Sequence, residues 1–208
     1  MPEVSLTEFV DFVIKSGTPR LTQVRMIRKR HEEGYEPSRD FYRKLRDGIV
    51  ELHQEGRPKS ALDALTKGIR DRNKQNTYPT LVKAYKKFLG RKEIAWYEPC
   101  KTHWKYGGLR VRVNPELGLT INGDDHLIKL YFKDQKLTKD RVAVISHMMN
   151  EALGDSAEGQ DVALLDVRSS RLHVFDAPDP ALKPLLEGEA LAFCRMYEAL
   201  TPTRGIRT

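Results

Sequence analysis

"LGLTINGDDHLIKLYFK", Leu117–Lys133, decides how the rest of the chain is read. Apolar and polar residues alternate on either side of Asn122-Gly123, a dipeptide that favours a tight two-residue turn. The stretch therefore reads as a β-hairpin. Side chains on a strand point to opposite faces with a period of two. Ile128, Leu130 and Phe132 then share one face, and Lys129, Tyr131 and Lys133 share the other. The question is whether that second face is merely solvated or is built to meet phosphates and bases.

Upstream, "LRVRVN" alternates Leu109, Val111 and Val113 with Arg110 and Arg112, and Asn114-Pro115 turns the chain into the hairpin. Downstream, "TKDRVAVISHMMNEALG" has the spacing of an amphipathic helix, capped by Thr138 and ended by Gly154. "DVALLDVRSSRLHVFDA" reads as a hairpin with Ser169-Ser170 at its tip. "DPALKPLLEGEALAFCRMYEAL" reads as a closing helix, with Pro184 and Gly188 as the points where it would break. Before Pro99 the texture is helical. Ser5 and Glu8 form a capping box with Gly17 at the far end, and helical spacing recurs in "LTQVRMIRKRH", "SRDFYRKLRDGIVELHQEG", "SALDALTKGIRDR" and "TLVKAYKKFLG". The expected fold is α+β. A helical, basic region covers 1–92, and 93–208 carries a mostly antiparallel five-strand sheet with flanking helices, as two regions or one continuous domain.

The 208 residues are 39% hydrophobic and 31% charged, a globular composition. No apolar run nears the roughly 20 residues that cross a bilayer, so no membrane partner is expected. The start of the chain lacks a basic leader, so no signal peptide is expected. Two cysteines, Cys100 and Cys194, without a CxxC pair, point to a reducing, cytoplasmic setting.

Charge points to a partner. The net charge is +7. Residues 1–110 hold 24 Lys and Arg against 14 Asp and Glu, while 111–208 hold 12 against 15. A basic half beside an acidic one suggests a polyanion for the first. Candidate contacts on the helices are Arg25, Arg28, Lys29, Arg30, Arg39, Arg43, Arg46, Lys83, Lys86 and Lys87. On the strands they are Arg110, Arg112, Lys129, Tyr131, Lys133 and Arg171, with His173 beside them, gathered on one open sheet face. The alternative for all of them is a solvated polar surface. A helix-turn-helix formed by "LTQVRMIRKRH" and "SRDFYRKLRDGIV" would put Arg39, Arg43 and Arg46 forward, but the joining segment exceeds the usual three or four residues.

One stretch suggests chemistry. Pro115-Glu116 is followed, after ten residues, by a tripeptide ending in Lys129. This resembles the Pro-Asp…(Asp/Glu)-x-Lys nuclease signature, and the helix, three strands, helix, strand order resembles that nuclease core. The resemblance implies a Mg²⁺ site of two carboxylates with a lysine beside the scissile phosphate. Leu127 stands where the second acid belongs. Asp125 is the nearest substitute, but four residues along a strand separate it from Lys129 by about 13 Å. Asp166 and Arg168 form a second acid-x-base triplet without an upstream Pro-acid. No GxSxG, Walker-type loop, GxGxxG or HExxH occurs.

The expectation is a nucleic-acid-binding protein, chiefly for DNA, without turnover and without a cofactor. One alternative is a divergent or degenerate Mg²⁺ nuclease using Glu116, Asp125 and Lys129. The other is a protein-interaction or scaffold module, with a partner or a second copy meeting the acidic C-terminal half.

Overall fold

The computed structural model describes residues 1–34, 40–175 and 179–200. The fold is α+β with two mixed sheets. The chain opens with strand β1 (Glu3–Ser5) and helix α1 (Leu6–Ile14), whose capping box closes as expected: the Glu8 amide donates to the Ser5 hydroxyl, and the Glu8 carboxylate accepts from the Ser5 amide. Gly17 does not end α1. It begins α2 (Gly17–Glu33), and Lys15 closes α1 instead.

After α3 (Arg43–Gln54), the expected helix in "SALDALTKGIRDR" is replaced by a 3₁₀ segment, Lys59–Thr66. Its residues 67–71 belong to no helix, and Asp71 caps α4 (Arg72–Leu89) by accepting from the Lys74 amide. Strands β2 (Ile94–Tyr97), β3 (Thr102–Tyr106), β4 (Leu109–Val113), β5 (Leu117–Ile121) and β6 (Asp124–Tyr131) follow. Helix α5 (Lys139–Leu153), capped by Thr138, crosses over to β7 (Asp161–Asp166), which turns into β8 (Arg171–Val174). Helix α6 (Leu182–Ala199) is unbroken. Pro184 lies in its first turn, where the missing N–H has no intrahelical acceptor to lose.

The five-stranded sheet has the order β2-β5-β6-β7-β8 and the smaller one β1-β4-β3. A five-stranded sheet was expected, but its membership differs. "LRVRV" belongs to the other sheet, between the parallel β1 and the antiparallel β3, and β2 takes its place beside β5. In the β5–β6 hairpin Asn122 and Gly123 both have positive φ, 54° and 103°, the geometry of a two-residue turn.

Both faces of the five-stranded sheet are covered. On one face Ile128, Leu130 and Phe132 pack with Leu45, Ile49, Tyr78, Leu81 and Tyr85 from α3 and α4. On the other, Leu127, Tyr131, Val162 and Leu164 pack with Phe9 and Phe12 of α1, Met148 of α5, Phe193 of α6 and Val111 of the smaller sheet. The open polar face expected for the hairpin does not exist, because α1 and α5 lie over it. Tyr131 is only 6% exposed.

Candidate nucleic-acid interface

The hairpin turn sets a register in which Leu117 faces Ile128, so Glu116 comes opposite Lys129. The Lys129 ammonium donates to Glu116 Oε1 at 2.5 Å and to the Asn114 carbonyl at 3.1 Å. Glu116 Oε2 accepts the Leu130 amide at 2.8 Å. Both carboxylate oxygens are committed, and a fixed ammonium fills the space beside them. Asp125 is at the far end of the hairpin, accepting from the Thr120 hydroxyl at 2.5 Å. Leu127 is fully buried and has no donor atom to offer. A two-carboxylate Mg²⁺ site does not fit these residues: of the three expected ligands and helpers, the structure brings together Glu116 and Lys129 but not Asp125.

The pair sits in a cleft of about 1690 Å³. Arg46 from α3, Tyr42 just before it, Glu8 and Asp11 from α1, and Lys133 after β6 share its walls. Asp11 accepts from Lys133 and, at 2.6 Å, from the guanidinium of Arg141, which is 2% exposed. Burial opposes the charge on Asp11, but Lys133 and Arg141 together outweigh it and hold its carboxyl below the ordinary value. Among the described residues, nine acidic and six basic side chains line the cleft. A phosphate backbone would meet net repulsion there.

Most of the other expected cations are spoken for. Arg28 pairs with Glu32 at 2.9 Å, Lys29 with Glu33 at 3.5 Å and Arg30 with Glu8 at 2.9 Å. Arg43 pairs with Asp47 and Arg46 with Asp40. Arg110 and Arg112 both lie within 3.6 Å of Glu3. Arg168 turns away from Asp166 towards the Phe132 carbonyl and Asp134. Arg171 and His173 are on β8, at the opposite edge of the larger sheet from β2 and in a different sheet from Arg110 and Arg112. The single basic strand face is therefore not formed. Nor is the helix-turn-helix: α2 contributes Val24 and Ile27 to one core, α3 contributes Leu45 and Ile49 to the other. Arg39 lies outside the described residues. Arg25 is exposed and makes no ion pair among the described residues.

The charge gathers elsewhere. Residues 57–92, the 3₁₀ segment with α4 and their flanks, hold eleven Lys and Arg against two Asp and Glu, a net +9 that exceeds the +7 of the whole chain. One of the two acids, Asp71, is the cap of α4. The other, Asp63, takes Lys86 at 2.9 Å. Arg57 pairs outward with Glu55, and the Lys59 ammonium donates to the Gly90 carbonyl, pinning the start of the 3₁₀ segment to the end of α4. Lys67, Arg70, Arg72, Lys83, Lys87 and Arg91 are exposed and form no ion pair among the described residues.

No family model, curated protein or solved structure matches this chain. Of the expected contact residues, Lys83, Lys86 and Lys87 fall in the basic lobe, where the exposed Lys67, Arg70, Arg72 and Arg91 join them. Their signal in the sequence is the eleven-to-two ratio over 36 residues, which a balance over residues 1–110 dilutes.

Proposed function

We propose that the protein binds nucleic acid, chiefly duplex DNA, through the outer surface of the 3₁₀ segment and α4, and that it does so without turnover. The observation that carries this reading is the concentration of eleven cations and two acids in residues 57–92. Clustered, unneutralised Lys and Arg displace counterions from a phosphate backbone, and that release drives association. The same lobe keeps its rings inside: Tyr78, Tyr85 and Phe88 are buried. A surface without an exposed ring lacks the aromatic platform on which unpaired bases stack best, which favours a duplex over a single strand. No helix among the described residues is long and apolar enough to cross a membrane. The test is binding of a random-sequence duplex and of a single strand of equal length by the wild type and by a Lys83→Glu/Lys87→Glu variant.

The divergent-nuclease alternative draws only on the nearness of Glu116 and Lys129 in a cleft, and the committed carboxylate and acidic walls there count against it. Plasmid nicking in Mg²⁺ that disappears in Glu116→Ala would support it. Intact plasmid with the wild type leaves the binding reading alone.

A further inference from the structure

We propose that the outer stripe of α4 enters the major groove of DNA and discriminates base sequence, an inference that rests on the duplex-binding reading. The helix has eighteen residues and not one Asp or Glu. That absence is unlike its neighbours. On α2 the half-buried Arg28 and the exposed Lys29 have i,i+4 carboxylates, and on α3 Arg43 has Asp47. A face built only for water mixes signs in that way. The inner face of α4 is set by Tyr78, Leu81, Val82, Tyr85 and Phe88 in the core. The opposite face carries Arg72, Asn76, Thr80, Lys83 and Lys87 at spacings of four, four, three and four, so they form one stripe about 22 Å long. All five are exposed. Their side chains make no hydrogen bond or ion pair among the described residues.

The chemistry divides along the stripe. Arg presents paired donors that match the guanine edge, Asn a donor and an acceptor that match the adenine edge, and Thr a hydroxyl and a methyl. Lys83 and Lys87 are point charges suited to phosphate. A helix with its side chains is about 10–12 Å across and fits the roughly 12 Å major groove of B-form DNA. The A-form major groove is deep and narrow, which excludes duplex RNA. In the first half of α4, Arg72, Asn73, Gln75 and Asn76 are all exposed, while Lys74, Thr77 and Tyr78 turn inward, so the outer half of the helix there is open to a groove. Arg72, Asn76 and Thr80 then face base edges, and Lys83 and Lys87 meet the backbone where the groove curves away from a straight helix.

The experiment is selection of the full chain against a randomised duplex pool, followed by affinity measurements on the enriched sequence, a scrambled duplex and the equivalent duplex RNA. An enriched motif is expected. Asn76→Ala and Arg72→Ala should each reduce the preference for that motif about tenfold, while affinity for the scrambled duplex changes less than twofold in Asn76→Ala, which keeps its charge. Lys83→Ala/Lys87→Ala should weaken both duplexes alike. Circular dichroism of each variant confirms an intact fold, since all four side chains are exposed. A wild type that binds random duplex but enriches nothing overturns the groove inference and leaves phosphate binding standing. Equal or tighter binding to duplex RNA overturns the groove placement. No duplex binding at low salt removes both readings.

Discussion

The ammonium of Lys129 lies 2.5 Å from the Glu116 carboxylate, directly across the β5–β6 hairpin, with side-chain exposures of 16% and 14%. A largely buried pair of this kind is held by mutual need, because each charge left alone would be poorly hydrated. Lys129→Ala should cost on the order of 2 kcal/mol in urea unfolding. Glu116→Gln should cost a similar amount, and the double variant should cost less than the sum, with a coupling of about 1–2 kcal/mol. Strictly additive single effects would show that the contact contributes nothing.

Asp11 holds Arg141 in the opposite wall, and Arg141 is among the most buried side chains in the molecule. Asp11→Ala leaves that guanidinium uncompensated and should destabilise by about 3 kcal/mol or more. The carboxyl of Asp11 is held below its ordinary value of 3.8 in the folded state. Its contribution is therefore present above the unfolded value and lost as pH falls through the folded one. Thermal midpoints of the wild type should drop steeply below about pH 4, and Asp11→Asn should flatten that limb.

His53 acts in a higher window. Its Nε2 lies 2.6 Å from the Tyr85 hydroxyl, and burial pushes the imidazole from the ordinary 6.5 down to about 4. The unfolded chain takes up a proton near pH 6.5, while the folded chain declines it until about pH 4. Stability is thus complete above pH 6.5 and is lost progressively as pH falls towards 4. In His53→Gln the loss between pH 7 and pH 5 should be smaller, as read by denaturation midpoints at each pH.

Gly118 on β5 faces Tyr97 on β2, and a Cβ placed there would come within 2.5 Å of the Tyr97 carbonyl and 2.6 Å of its ring. The carbonyl is backbone and cannot step aside without disturbing the β2–β5 ladder. Gly118→Ala should therefore destabilise by about 1–3 kcal/mol despite adding a single methyl. Gly123→Ala has open space but a φ of 103°, so its cost comes from the turn and not from packing.

Local signals carried most of the fold. The Asn122-Gly123 turn, the Ser5–Glu8 box, the Thr138 cap and the hairpin ending at Ser169-Ser170 are short-range, and each is where the residues put it. Alternation in "HLIKLYFK" located a strand but could not say that both of its faces are covered, because the helices that cover Lys129 and Tyr131 come from over a hundred residues upstream and from the following crossover. Likewise nothing local in "LRVRV" tells which sheet it joins. The Glu116–Lys129 pair was within reach: a turn at 122–123 fixes the register, and the register puts 116 opposite 129. The ion pairs that silence Arg30, Arg112 and Lys133 reach Glu8, Glu3 and Asp11 across the fold, and charge counting along the chain could not see them.

The central claim is that the lobe of residues 57–92 holds phosphates, and the salt dependence of duplex affinity tests it most directly. The logarithm of the association constant for a random duplex should fall linearly with the logarithm of salt concentration, with a slope of about −4 or steeper. Lys83→Ala/Lys87→Ala should reduce the steepness by about 2, one for each phosphate contact removed. Affinity that ignores salt, or a slope unchanged in the double variant, would contradict the account.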